Sequence, residues 1–188
     1  ATVPSEIQWI ERRREEMLHF WELVENGTIP TRITHNDTKI NNILFDKAGN
    51  VLCVIDLDTV LSSTCLNDYG DAMRSYTNTG LEDDENLDNV SMNLDIFRAY
   101  TQGYLSETAG FLNQAEIDYL AFSAKYITYE QVLRFLMDYI DGDKYYKVKS
   151  QIHNLVRARA QHKLLQSMEA QYTQMCDIVK EEIAKFQK

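Results

Sequence analysis

Turn-forming residues are scarce in this sequence. Seven Gly and two Pro in 188 residues come to under half of the usual ~12%. Such a chain leaves little room for an all-β architecture and is expected to be rich in helix. Positive charge is also short: 19 Lys+Arg stand against 29 Asp+Glu, for a net charge of −10. That balance argues against nucleic acid as a partner, because such binding draws mainly on neutralised phosphates. No apolar run approaches the ~20 residues that span a bilayer, so no membrane partner is expected. The opening ATVPSEIQWIERRREE is charged, has no apolar signal-peptide core and lacks a Met, as a fragment or processed piece would. Cysteines number three, Cys53, Cys65 and Cys176. Their odd count and lack of metal-type spacing fit a reduced, cytoplasmic setting.

What is present points to a packed domain. Eleven Tyr, seven Phe and two Trp argue against disorder. The length suits one compact domain, or one lobe of a larger protein, with a core that needs no disulfides. Ser5 is a candidate cap for a helix running to Asn26-Gly27, with Ile7, Ile10, Met17, Leu18, Trp21 and Val24 as a partial apolar stripe. Ile29 to Thr34 reads as extended. Asn42-Ile43-Leu44-Phe45-Asp46 and Val51-Leu52-Cys53-Val54-Ile55, joined by Lys47-Ala48-Gly49-Asn50, read as a β-hairpin. Further helices are expected from Asn67-Asp68 to Tyr76, from Asn93 to Glu107 and from Gln114 to Tyr139. Asp141-Gly142-Asp143 breaks the last of these. One or two more helices follow between Ser150 and Phe186. The fold class is therefore α+β, mainly α: a helical body with one hairpin.

One segment carries chemistry. Thr34-His35-Asn36-Asp37-Thr38-Lys39-Ile40-Asn41-Asn42 precedes the hairpin, and Val54-Ile55-Asp56-Leu57-Asp58 ends it. Phosphoryl transfer needs a carboxylate for the attacking hydroxyl, hard oxygen ligands for Mg²⁺, and a cation near the γ-phosphate. Asp37 can face an acceptor while Asn42 faces a metal. The hairpin returns Asp56 beside Asn42 as a second ligand, and Lys39 is within reach of the γ-phosphate. H-x-D-x-x-x-x-N, a hairpin and then Asp match a kinase catalytic loop and metal-binding Asp in order and spacing. Turn chemistry alone explains Asp46 or Asn50. It does not explain His35, Asp37, Lys39, Asn42 and Asp56 arriving in that order.

The phrases Thr-His-Asn-Asp-Thr-Lys-Ile-Asn-Asn-Ile-Leu, Val-Ile-Asp-Leu-Asp-Thr-Val and Asn-Asp-Tyr-Gly-Asp-Ala-Met-Arg resemble the aminoglycoside phosphotransferase/choline kinase family. Leu133 to Tyr139, Gly142-Asp143, Tyr145 and Arg157-Ala158-Arg159 resemble its anomeric N-acetylhexosamine kinases in particular. The resemblance runs from Glu6 to Ile178. It implies the C-terminal lobe of the protein-kinase-like fold across residues 1–188, ATP as phosphoryl donor and Mg²⁺ as cofactor. By the same resemblance Asp37 is the catalytic base, Asn42 and Asp56 are the Mg²⁺ ligands, and Lys39 sits near the γ-phosphate. Arg134 and Tyr145 match positions that contact the sugar, and Tyr172 is a looser match to an aromatic placed against it. The implied acceptor is an N-acetylhexosamine. Choline, another amino alcohol or an aminoglycoside are the alternatives within the family, and a non-catalytic binding module is the alternative outside it.

Other residues have plainer expectations. His35 reads as an anchor for the loop. Asp58 has two readings, metal assistance or loop stabilisation. Asp68 reads as a helix N-cap ahead of a direct role, and Asp71 with Arg74 as a local i, i+3 ion pair, with substrate contact as the sharper alternative. For Arg134 an internal salt bridge competes with sugar recognition. His153 and His162 read as ordinary helix residues, and Glu82-Asp83-Asp84-Glu85 as a solvated loop. No G-x-G and no Val-Ala-Ile-Lys-like strand precedes the catalytic loop. A nucleotide lobe with a phosphate-covering loop and its Lys is therefore expected to be absent from this chain, leaving it inactive alone.

Overall fold

The computed structural model describes residues 3–186. Helices dominate, in the order α1 (Pro4–Glu11), α2 (Arg14–Glu25), α3 (Cys65–Tyr76), α4 (Leu94–Thr108), α5 (Gln114–Ile140), α6 (His153–Ala170) and α7 (Tyr172–Ile183). Four short strands fall between α2 and α3: β1 (Arg32–Thr34), β2 (Ile43–Phe45), β3 (Val51–Val54) and β4 (Leu61–Ser63). The fold is a mainly helical C-terminal lobe of the kinase-like type with a β-hairpin between α2 and α3. Among the described residues no helix is long and apolar enough to cross a membrane.

The expected hairpin forms as β2–β3, antiparallel, with Ile43 opposite Val54 and Leu44 opposite Cys53. Its turn is held by Asp46, whose carboxylate accepts from the Ala48 and Asn50 amides at 2.8 Å each. Gly49 supplies the positive φ of 86° that the turn requires. A second ladder was not foreseen. β1 pairs antiparallel with β4, Thr34 opposite Leu61, and so closes the base of the loop that carries Asp37. β4 has only Leu61-Ser62-Ser63, too short and polar for a period-2 signal.

The first helix differs from expectation. It splits at Arg12-Arg13, and α1 starts after Val3 rather than at a Ser5 cap. Tertiary bonding decides this: the Arg13 guanidinium donates to the Trp9 carbonyl at 2.8 Å and to Glu169 of α6 at 2.8 Å. Arg13 itself stands at the N-cap of α2, with φ −107° and ψ −6°. The later helices follow the sequence closely. Asn93 caps α4, and Asn113 with Glu116 forms a reciprocal capping box on α5. Asp141-Gly142-Asp143 ends α5 with two left-handed residues, Gly142 at φ 87° and Asp143 at 56°.

The core lies around α5, which runs against α3 on one side and α6 on the other. Phe20, Leu66, Tyr69, Phe97, Leu120, Phe135 and Leu164 are essentially sealed from solvent, each worth ~1.5–3 kcal/mol of burial. Gly70 permits the close approach of α3 to α5: a Cβ there would stand 2.4 Å from the Ser123 carbonyl oxygen. Arg32 pins β1 to the start of α5 through paired bonds to Glu116 at 2.6 and 2.7 Å. These attachments fix where the loop after β1 stands relative to the helical body.

Candidate active site

The loop from His35 to Asn42 is clamped by α3. Asp68 does not cap α3; Thr64 does, accepting from the Leu66 amide. The Asp68 carboxylate instead accepts from the His35 amide at 2.9 Å and the Asn36 amide at 2.7 Å. The Asp68 carbonyl accepts from the Thr38 hydroxyl at 2.6 Å, and Tyr76 donates to the Thr38 carbonyl at 3.0 Å. Asn36 sits at φ 62°, a left-handed turn its amide holds by donating to the Thr34 and Thr59 carbonyls. His35 anchors the loop as expected. Its Nε2 bonds the Ile55 carbonyl at 3.1 Å and its Nδ1 accepts from the Asp37 amide at 3.3 Å, which one tautomer, protonated on Nε2, satisfies at both ends.

This clamp brings Asp37, Lys39 and Asn42 together. Asp37 Oδ2 accepts from Lys39 Nζ at 2.7 Å and from Asn42 Nδ2 at 2.8 Å. Asp37 Oδ1 makes no such bond among the described residues. Partial burial pushes the Asp37 carboxyl up, but the bonds from Lys39 and Asn42 outweigh it, and the group ends below the usual range. Lys39 is raised in turn: burial opposes its charge, while Asp37 favours it. Asn42 is buried, and its amide also donates to the Asp37 carbonyl at 2.8 Å. With its nitrogen so committed, Oδ1 is the atom left for a ligand.

Asp56 follows the hairpin at φ 63°. Asp58 bonds to it and repels its charge, and both effects raise the Asp56 carboxyl. The neighbouring Asp56 and Asp58 carboxylates and the amide oxygen of Asn42 are hard oxygen donors, though no bond joins Asn42 to either carboxylate among the described residues. Magnesium on nucleotide phosphates commonly uses one or two carboxylates, so the residues present fit that ion. No group of three or more His, Cys, Asp or Glu side chains gathers as a metal site among the described residues.

A cleft of about 640 Å³ opens beside Asp37 and Lys39. Its far wall comes from α5, α6 and the segment between them, and includes Gln131, Arg134, Phe135, Tyr145, Tyr146, Arg157 and Gln161. Arg134 makes no ion pair among the described residues. Its guanidinium stands over the rings of Tyr145 and Tyr146, at 5.9 and 5.8 Å. Tyr145 is 74% exposed. Tyr172 is not part of the cleft. It opens α7 and lies under Lys125 Nζ, 4.4 Å from the ring centroid, so the expectation that it flanks the acceptor is corrected.

Several groups of the site carry no sequence motif. Arg74 is buried and pairs with Asp71 at 2.8 Å, as expected, but also with Glu82 at 2.9 Å, and both line or border the cleft. The acidic run is thus only partly solvated. Asp83 accepts from Lys149 at 2.8 Å and from the buried His153 at 2.9 Å, and these bonds hold its carboxyl down to about 2. His162 is also no surface residue: it is buried and stacked 3.9 Å from Trp9. The adjacent Tyr145-Tyr146 pair was the one available sign of an aromatic wall; the rest depends on long-range placement.

A mainly helical lobe carrying this hairpin is that of a kinase-like phosphotransferase. A model of the APH phosphotransferase enzyme family matches residues 3–108, more than half of the chain, and the chain belongs to that family. The matched span holds the catalytic loop, the hairpin and α3, and stops before the α5–α6 wall of the cleft.

Proposed function

We propose that this chain is the catalytic-loop and acceptor-binding lobe of an ATP- and Mg²⁺-dependent small-molecule kinase, acting on the anomeric hydroxyl of an N-acetylhexosamine. The observation that carries the reading is the shared cleft: Arg134 and Tyr145 line the same cavity as Asp37. Charge supports a neutral acceptor over choline or an aminoglycoside. The lining carries Lys39, Arg74, Arg134 and Arg157 against Asp37 and Glu82, whereas a cationic acceptor calls for surplus carboxylates.

Asp37 Oδ2 is fixed by Lys39 and Asn42, so Oδ1 is the oxygen that receives the acceptor hydroxyl. It orients that hydroxyl in line with the phosphoryl group and takes its proton as the new O–P bond forms and the bond from the γ-phosphorus to the β–γ bridging oxygen breaks, with ADP as the leaving group. Lys39, already beside Asp37, places positive charge where the phosphoryl group passes. Asn42 and Asp56, with Asp58 adjacent, would hold Mg²⁺, which when bound offsets the charge of the nucleotide phosphates. Transfer is direct, with no covalent enzyme intermediate.

The nucleotide's other half-site is assigned to a further lobe, against the hairpin. Exposed apolar side chains on the hairpin, the β1–β4 ladder and the segment that joins them support it: Ile33 at 80%, Leu52 at 63%, Leu57 at 62% and Leu61 at 55%, the kind of residue a partner covers. The 188-residue chain alone is accordingly expected to show no steady turnover.

The test is coupled ADP release by the full-length protein with ATP, Mg²⁺ and a panel of N-acetylglucosamine, N-acetylgalactosamine, galactose, choline and kanamycin. Turnover on an N-acetylhexosamine, reduced ~10²–10⁴-fold by Asp37→Asn, is the expected result. Turnover confined to choline or kanamycin would refute the sugar acceptor and keep the phosphotransferase.

A further inference from the structure

The charges lining the cleft are not all balanced. Lys39 is paired with Asp37, and Arg74 with Asp71 and Glu82. Arg134 and Arg157 have no carboxylate within ion-pair distance among the described residues. In a chain with 29 acidic residues the shortage is local. Arg157 is half-buried, where a cation without a counter-charge is costly, and it shares one wall of one cavity with the more exposed Arg134.

Arg157 is held for donation into that cavity. Its Nη1 bonds the Lys147 carbonyl at 3.3 Å and Asn154 Oδ1 at 3.1 Å. Asn154 is itself fixed, its Nδ2 donating to Asp138 at 2.8 Å and Asp143 at 2.9 Å. The nearby carboxylates are thereby spent on Asn154 and leave the guanidinium's charge unmatched. Its Nε is buried with no hydrogen-bond partner. The guanidinium lies 5.3 Å from the Phe135 ring centroid and 6.0 Å from that of Tyr146, while Arg134 stands 5.8 Å from the same Tyr146 ring. Two guanidiniums without an ion-pair partner among the described residues thus share one aromatic ring, with Glu130 acting on Arg134 only at longer range.

Resting on the sugar-acceptor reading, we infer that Arg157 is a specificity-determining residue. Its guanidinium, paired with Arg134 at Tyr146, donates to an acceptor oxygen such as an acetamido carbonyl and repels acceptors that carry a protonated amine. The substrate class is narrowed to sugars bearing a carbonyl or anionic oxygen in place of a free amine. Gln161, on the same wall and 3.4 Å from Arg74, adds a neutral amide and no compensating charge.

The experiment compares N-acetylglucosamine with glucosamine, at a pH where its amine is protonated, on the full-length wild type, Arg157→Lys and Arg157→Gln. Melting temperature is recorded in parallel. Wild type is expected to favour N-acetylglucosamine. Arg157→Gln raises KM for N-acetylglucosamine about tenfold with kcat within about twofold, and narrows the preference over glucosamine. Arg157→Lys keeps the charge and keeps the discrimination. A lowered melting temperature with an unchanged preference in Arg157→Gln would overturn the inference and leave Arg157 as an aromatic-stacked support. Wild type active on choline or kanamycin and inert to both sugars would overturn the sugar reading itself.

Discussion

The two walls of the cleft differ in how they are held. The α5–α6 wall grows out of a sealed core: Leu120, Val132, Phe135, Leu136 and Leu164 are nearly inaccessible. The opposite wall, the loop around Asp37, and the hairpin that follows it have almost none of this. Val51 and Leu52 are each 63% exposed and Val54 50%, and the catalytic loop hangs from α3 by hydrogen bonds to Asp68. The helical wall is held by packing, the loop wall by polar contacts. Local rules read the second better than the first. The helical wall packs on its own core, and Arg134, Tyr145 and Arg157 reach the cleft from separate segments.

The comparison can be broken most forcefully in the body. Leu120→Ala removes a fully buried side chain and is expected to cost ~2–5 kcal/mol in urea unfolding; a change under 1 kcal/mol would deny that α5 is the core. The next effect depends on pH. Burial, more than the nearby Arg13, lowers His162 from 6.5 to about 4. Between those values the unfolded chain holds the proton and the folded chain does not, so stability rises with pH across this window and is lost as pH falls through it. At ~1.36 kcal/mol per pH unit this amounts to ~3 kcal/mol. His162→Phe, which keeps the stack on Trp9 and sacrifices no bond at Nε2, should flatten that slope; an unaltered slope would place the titration elsewhere.

On the loop wall, Asp68→Ala strands the His35 and Asn36 amides and is expected to cost ~1–3 kcal/mol, with a larger loss of turnover than of stability. Equal losses in both would make Asp68 a general support rather than a loop clamp. Least of all, Leu52→Thr on the exposed hairpin should shift the stability of the 188-residue chain by no more than ~0.5 kcal/mol. A greater loss would show that the hairpin is already part of the core.

The same contrast explains what the sequence disclosed. The hairpin, the break at Gly142 and the Asn93 and Asn113 caps are set by neighbours a few residues apart, so turn chemistry and periodicity locate them. The order of His35, Asp37, Asn42 and Asp56 is a local pattern as well, and the structure gathers Asp37, Lys39 and Asn42 within hydrogen-bond reach. What escaped is long-range. Arg13 splits the first helix by reaching Glu169, β4 exists only because β1 lies beside it, and Asp68 turns from cap to clamp across 33 residues. Glu82 and Asp83 look solvated until Arg74, Lys149 and His153 come into range. Tyr172 failed for the converse reason: its spacing says nothing of which side of α5 it meets.

In the proposed reading labour is divided: the loop performs transfer and the helical wall holds the acceptor. The decisive measurement is steady-state kcat and KM of the full-length protein on N-acetylglucosamine, with Asp37→Asn and Arg134→Ala side by side. Asp37→Asn is expected to collapse kcat, while Arg134→Ala raises KM and leaves kcat within a few-fold. An Arg134→Ala enzyme with unchanged KM, or an Asp37→Asn enzyme that still turns over, would contradict it.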